Sequence, residues 1–295
     1  MILRILAMGL LLAAVRPALA DDSEDRVEKI ITDLGGLCEH ENDDPKKPVI
    51  GVEIIDHGVP VSIFAQLKVF KKLMMVSLSQ TGLTDEGIKE LAKLEGLLTL
   101  GLTKESKVTA EGIQKLANLK HLMMVTLIGD NWTDAHVKWI SGLNQLRSLE
   151  LDEASVTDEG VKAIAGLKTL VDLSLKSTKV TDSGVKSLTQ LQALRILDLT
   201  DTAVTDAAAA DLAKHRTLKL LFLSETKITD SALKEFAALD RLESLSVAFT
   251  QVSDSGLKSL FGLKHLRSLG VAGTKVTEAG IKELKKALPQ CEVSQ

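Results

Sequence analysis

The chain has 295 residues, of which 45% are apolar, 3% aromatic and none tyrosine. A core made almost wholly of Leu, Val, Ile and Ala suits thin regular layers better than one large globule. The formal net charge of -4 lacks the basic footprint of a nucleic-acid binder, and that class is excluded.

Residues 1–20 read as a signal peptide. Arg4 lies in a short n-region, Ile5 to Val15 are apolar, and Ala18-Leu19-Ala20 supplies a small-x-small cleavage pattern. Cleavage would leave Asp21 first and mark an exported protein, periplasmic or extracellular. The alternative is an uncleaved anchor, but the stretch is short for a span and Arg16-Pro17 interrupts it. No later run of ~18 apolar residues follows, so no transmembrane span is expected after cleavage.

Residues 21–48 read as an N-terminal helical cap. A helix over Glu24 to Leu34 places Val27, Ile30, Ile31 and Leu34 on one face, and Gly35-Gly36 stops it. Asn42-Asp43-Asp44-Pro45 is a polar turn.

Residues 49–288 repeat. Units begin at Leu73, Leu97, Leu122, Leu146, Leu170, Leu194, Leu218, Leu242 and Leu266, and Val49, Val52 and Ile54 mark a degenerate first one. The step is 24 residues except the 25 from Leu97 to Leu122, which makes about ten units. Each opens L-x-x-L-x-L, as in Leu146, Leu149 and Leu151. That is a short strand with alternate residues inward, stacked parallel to its neighbours.

The ninth position carries Thr81, Thr178, Thr202, Thr226, Thr250 and Thr274, a hydroxyl column able to satisfy buried turn backbone. A Thr-Asp pair follows, as in Thr157-Asp158, where the Thr caps a helix and the Asp favours its dipole. Val161, Ile164 and Leu167 give that helix its inward face. A small residue near its start (Gly87, Gly160, Gly184, Ala208, Ala232, Gly256) lets helices approach closely. Asp85/Lys89, Asp158/Lys162, Asp182/Lys186, Asp230/Lys234 and Asp254/Lys258 are spaced for i,i+4 ion pairs on a solvated outer face. Leu288-Pro289 closes the last helix, and residues 289–295 read as a C-terminal cap strand around Cys291-Glu292-Val293.

The unit L-x-x-L-x-L-x-x-T-x-V-T-D-x-G-V-K-x-L resembles the leucine-rich-repeat family, with Thr where the common form has Asn. It looks most like the units of exported bacterial leucine-rich-repeat proteins. It is also similar to the cysteine-containing repeats that follow F-box domains, but residues 21–48 are too short for an F-box. The resemblance implies an α/β solenoid in a right-handed arc. Parallel β-strands would line the concave face and α-helices the convex face, and the role would be protein binding.

Several residues depart from the pattern. Trp132 fills a core column. Trp139 falls in a mostly polar column and is expected on the convex surface as a contact point. His215 replaces a core Leu and is expected as a partly buried histidine. Cys38 and Cys291, near opposite ends, are expected free and buried in the caps. Asn131-Trp132-Thr133 is an N-glycosylation sequon. The six histidines share no column and show no metal-ligand spacing, so no metal or other cofactor is expected.

There is no G-x-S-x-G, P-loop, H-E-x-x-H or C-x-x-C, so the expectation is a protein that is not an enzyme. The free positions of the strand face form three zones. Met75, Met124 and Ile128 lie first, with Met74 and Met123 beside them. Glu150, Asp152, Glu153, Asp172, Asp198 and Asp201 form an acidic middle. Ile196, Leu220, Phe222 and Phe249 follow. Such a face suits a basic, partly apolar protein partner. Arg147, Lys176, Arg195 and Lys219 interleave with the acids, so much of their charge is expected to be paired internally. A calcium ion among them is the weaker alternative, because flat strands supply poorly the six to eight oxygens it needs. The expected protein is a monomeric, non-catalytic binding or scaffold protein of the cell envelope or extracellular space. A structural envelope spacer and a ubiquitin-ligase-like adaptor are the alternatives.

Overall fold

The computed structural model of the protein describes residues 22–55, 58–105 and 107–295, so the segment read as a signal peptide lies outside the described residues. Helix α1, Asp22–Asp33, covers one end, with Val27 and Ile31 buried. Twelve strands then form one open sheet in strict chain order. They are β1 (Leu37–His40), β2 (Val49–Ile55), β3 (Met75–Ser79), β4 (Thr99–Thr103), β5 (Met124–Ile128), β6 (Ser148–Glu150), β7 (Asp172–Ser174), β8 (Ile196–Asp198), β9 (Leu220–Phe222), β10 (Ser244–Ser246), β11 (Ser268–Gly270) and β12 (Glu292–Ser294).

From β2 to β12 every pairing is parallel, and short helices return the chain behind the sheet. The architecture is the α/β solenoid implied by the repeat. The exception is β1, which pairs antiparallel with β2, Leu37 opposite Glu53. The cap reading of helix and turn missed this strand. Residues 41–48 are too few for a parallel crossover, which needs a dozen or more, so the chain can only double back.

The repeated Leu positions fill the space between sheet and helices. Leu146, Leu149 and Leu151 are buried, as are Leu170, Leu173 and Leu175 one coil on. Each such side chain contributes roughly 1.5–3 kcal/mol. The threonine column does what its chemistry suggests. The hydroxyls of Thr178, Thr202, Thr226, Thr250 and Thr274 each donate to the carbonyl three residues back, at 2.6 or 2.7 Å.

The Thr-Asp pairs do more than start helices. Asp182 accepts from Thr205 N and Thr205 Oγ1 of the next coil, both at 2.8 Å. The same clamp joins Asp85 to Thr109, Asp134 to Thr157, Asp158 to Thr181, Asp206 to Thr229, Asp230 to Ser253 and Asp254 to Thr277. Glycine in the small-residue column leaves room for that carboxylate. A Cβ on Gly184 would stand 2.5 Å from Asp158 Oδ1. Among the described residues none of the expected i,i+4 pairs closes to an ion pair, although Lys89 and Lys258 still act at longer range on Asp85 and Asp254. Lys89 and Lys162 pair with Glu86 and Glu159 instead, because the aspartates face the next coil. Asp182→Ala should therefore cost about 1.5–3 kcal/mol, the range for hydrogen bonds to a charged group. Urea unfolding measures it, and a loss below ~0.5 kcal/mol would sink the clamp.

A second column is set by the turn after each strand. Gln80, Lys104, Glu153, Ser177, Asp201, Glu225 and Phe249 all have φ between 53° and 59°. L-residues pay about 1–2 kcal/mol for this left-handed backbone. Its recurrence in coil after coil marks it as the way the chain leaves the sheet.

Several single-residue expectations change. Trp132 is fully buried and donates from Nε1 to Ile128 O at 3.2 Å. Trp139 is buried too, not a convex contact point, and its Nε1 has no partner. So large a ring gains more by lying on the core than it loses through one unbonded N–H. His215 is 1% exposed rather than partly buried, and burial lowers its pKa against the opposing pull of the Leu191 backbone and the Asp211 charge. Cys291 is buried, Cys38 only half-buried, and both are free. Asn131 Nδ2 donates to Glu105 O at 2.8 Å, so the nitrogen a glycan would need is engaged.

Candidate functional site

Parallel register lays equivalent residues of successive strands side by side, about 4.8 Å apart. One row across the sheet runs Met75, Thr99, Met124, Ser148, Asp172, Ile196, Leu220. The adjacent row runs Ser77, Gly101, Thr126, Glu150, Ser174, Asp198, Phe222. The structure thus gathers Glu150, Asp172 and Asp198 onto β6, β7 and β8, with Asp152 just beyond β6. Met124 adjoins this group on one side, and Leu220 and Phe222 on the other. Met75 stands two strands further off. Glu153, Asp201 and Phe249 lie apart, in the left-handed turn column.

The gathered carboxylates are half-buried and held by hydroxyls. Ser174 Oγ donates to Asp152 Oδ1, Ser148 Oγ to Asp172 Oδ2 at 3.5 Å, and Thr126 Oγ1 to Glu150 Oε2 at 3.4 Å. Asp198 Oδ1 accepts from Thr200 N at 2.8 Å. Among the described residues no cation forms an ion pair with any of these four acids, and of the expected internal pairing only the Lys176 charge acting on Asp152 remains. The reason is columnar. Arg147, Arg195 and Lys219 lie one residue before their strands and stack on their own column, where Lys219 reaches Glu243 at 2.6 Å. Only Glu153, outside the cluster, is paired, to Lys104 at 3.6 Å. Among the described residues no three His, Cys, Asp or Glu side chains are grouped to hold a metal ion.

Burial, and then the neighbouring Asp152 charge, push the Glu150 carboxyl up to about 7. Burial also raises Asp152 and Asp172. A carboxyl raised on folding holds its proton more tightly in the folded state. Its contribution to stability is complete below the unfolded value of 4.5 and is lost as the pH rises through about 7. The Glu150 contribution therefore raises the melting temperature as pH falls from 7.5 to 5.5. Glu150→Gln should stabilise the protein at pH 7.5 and flatten that slope. A variant melting with the wild-type slope would overturn the assignment. Asp254 acts in the opposite sense: the Thr277 N–H and hydroxyl it accepts hold its carboxyl below the usual 3.8, so its contribution is lost as the pH falls through that lowered value.

Phe249 is 61% exposed, and its ring lies where a Cβ on Gly273 would be, 2.4 Å from Cδ1. Met74 and Met123 are exposed as well. Two residues escaped the sequence reading. Glu105 is fully buried although it stands in the threonine column, and His136 stands in the small-residue column. Both were visible as column exceptions.

A family model described as Leucine Rich repeat matches residues 143–165, 166–188 and 242–261. No curated protein matches the chain in sequence. Among solved structures, internalin C2 from Listeria monocytogenes str. 4b F2365 is similar with a TM-score of 0.53 and 25% identity, over 72% of this chain and 84% of that one. An internalin (inlF) from the same strain gives 0.50 and 18%, over 92% and 94%, a likeness of fold alone.

Proposed function

Because this chain is a leucine-rich-repeat protein, we propose that it is a non-catalytic binding or scaffold protein whose sheet face recognises a basic, partly apolar protein surface. The observation that carries the proposal is the set of four carboxylates on three neighbouring coils, in no ion pair among the described residues and bordered by apolar side chains. Like charges held together cost energy that a cationic partner relieves. Glu150, Asp152, Asp172 and Asp198 form the charged centre of the site. Met124, Leu220 and Phe222 form its apolar borders. Met75, Glu153, Asp201 and the exposed Phe249 extend it toward the rim. The pattern in residues 1–20 supports export, to the periplasm or beyond the cell. The alternatives of an envelope spacer and an intracellular adaptor leave the unpaired acids without a purpose. The test is cross-linked capture of partners by the wild type and by a Glu150→Lys/Asp152→Lys/Asp198→Lys variant.

A further inference from the structure

Along the helical side, the Asp clamp of one coil and the Gly or Ala of the next form a complementary pair. At the junction of the β4 and β5 coils both members change. Ala110 stands where the aspartate belongs, and His136 where the small residue belongs. The two changes compensate each other in space. At an intact rung a Cβ on Gly160 would stand 2.3 Å from Asp134 Oδ1. With Ala110 in place of a carboxylate that volume is open, and the imidazole takes it.

The imidazole also takes over the hydrogen bonds. Its Nδ1 lies 3.3 Å from Thr133 N and 2.9 Å from Thr133 Oγ1, the two groups that a carboxylate serves at the other rungs. Its Nε2 lies 3.3 Å from Val108 O of the preceding coil. A backbone N–H can only donate, so Nδ1 carries the lone pair and Nε2 the proton. The ring is neutral in this arrangement. Trp132 packs edge-on against it, centroids 5.5 Å apart.

We infer that the β4–β5 junction is a proton-sensitive joint of the solenoid, closed while His136 is neutral and loosened when it is protonated. Protonation replaces the lone pair that receives Thr133 with another N–H, so the rung loses its acceptor. The other rungs are served by carboxylates, which as a class change charge at lower pH than imidazoles. The charged side chains on the surrounding elements are Asp134 and Lys138 on its own coil, Lys107, Glu111 and Lys115 on the coil before, and Asp158, Glu159 and Lys162 on the coil after. Asp134 is engaged by Thr157, and none of these groups bonds the imidazole. The joint does not depend on what the sheet face binds.

Hydrogen exchange on the full chain at pH 7.5 and 5.5, corrected for intrinsic rates, tests it. Peptides covering 107–113 and 131–138 should lose about tenfold protection at the lower pH, while those around the Asp182–Thr205 rung hold theirs. Ala110→Asp/His136→Gly rebuilds an ordinary rung and should abolish the difference. If that variant fails to fold, His136→Gln serves, since its amide can accept from Thr133 N and donate to Val108 O without titrating. Equal protection of the joint at both pH values would overturn the inference. So would an equal loss at the Asp182 rung, or a tenfold loss that persists in the folded variant.

Discussion

Glu105→Ala is expected to destabilise the protein by about 4 kcal/mol, as two buried N–H groups each lose an acceptor at roughly 1–3 kcal/mol. The fully buried Glu105 carboxylate accepts from Thr81 N at 2.7 Å, Thr81 Oγ1 at 2.8 Å and Leu83 N at 2.9 Å. It ties the β3 coil to the β4 coil, and both Thr81 and Leu83 are fully buried. Glu105→Gln should cost less, about 1–3 kcal/mol, since one amide oxygen remains while its NH2 faces a donor. Urea unfolding with exchange at residues 81–84 measures both. A Glu105→Ala loss below ~1 kcal/mol would mean that the β3 coil finds other acceptors.

Reversing Glu150, Asp152 and Asp198 to Lys is expected to weaken partner capture by at least about a hundredfold, because like charges brought together across an interface cost several kcal/mol. The variant should fold, since all three side chains are only half-buried and none is in an ion pair. The interaction of the wild type should weaken with added salt, as screening shortens the reach of the acids. Equal capture by wild type and variant would remove the sheet face from the proposal. A circular-dichroism melt of the variant separates lost binding from lost folding.

Much of the molecule was legible as columns. The Leu column states the core, and the Thr column states which turn carbonyls are satisfied, because each side chain bonds within its own coil. Contacts between coils were harder to read. The aspartates look like dipole partners and i,i+4 ion-pair members until the next coil's Thr205 or Thr181 is placed beside them. Arg147 and Arg195 look interleaved with the acids along the chain, yet in space they stack on their own column and leave Glu150 and Asp198 without a cation. Trp139 was misplaced because column polarity describes the average residue there, whereas a large ring finds its own way to the core.

By itself the sequence determined the period, the strand and helix order, the inward residues and the hydroxyl column, since these depend on local spacing and on which side chains water rejects. Only the tertiary structure decided the antiparallel β1, the Asp clamps, the buried Glu105, the His136 contacts and, among the described residues, the lack of ion pairs to the clustered acids. Each of these depends on what a neighbouring strand or coil brings within hydrogen-bond or ion-pair reach, and spacing along one chain does not state that distance.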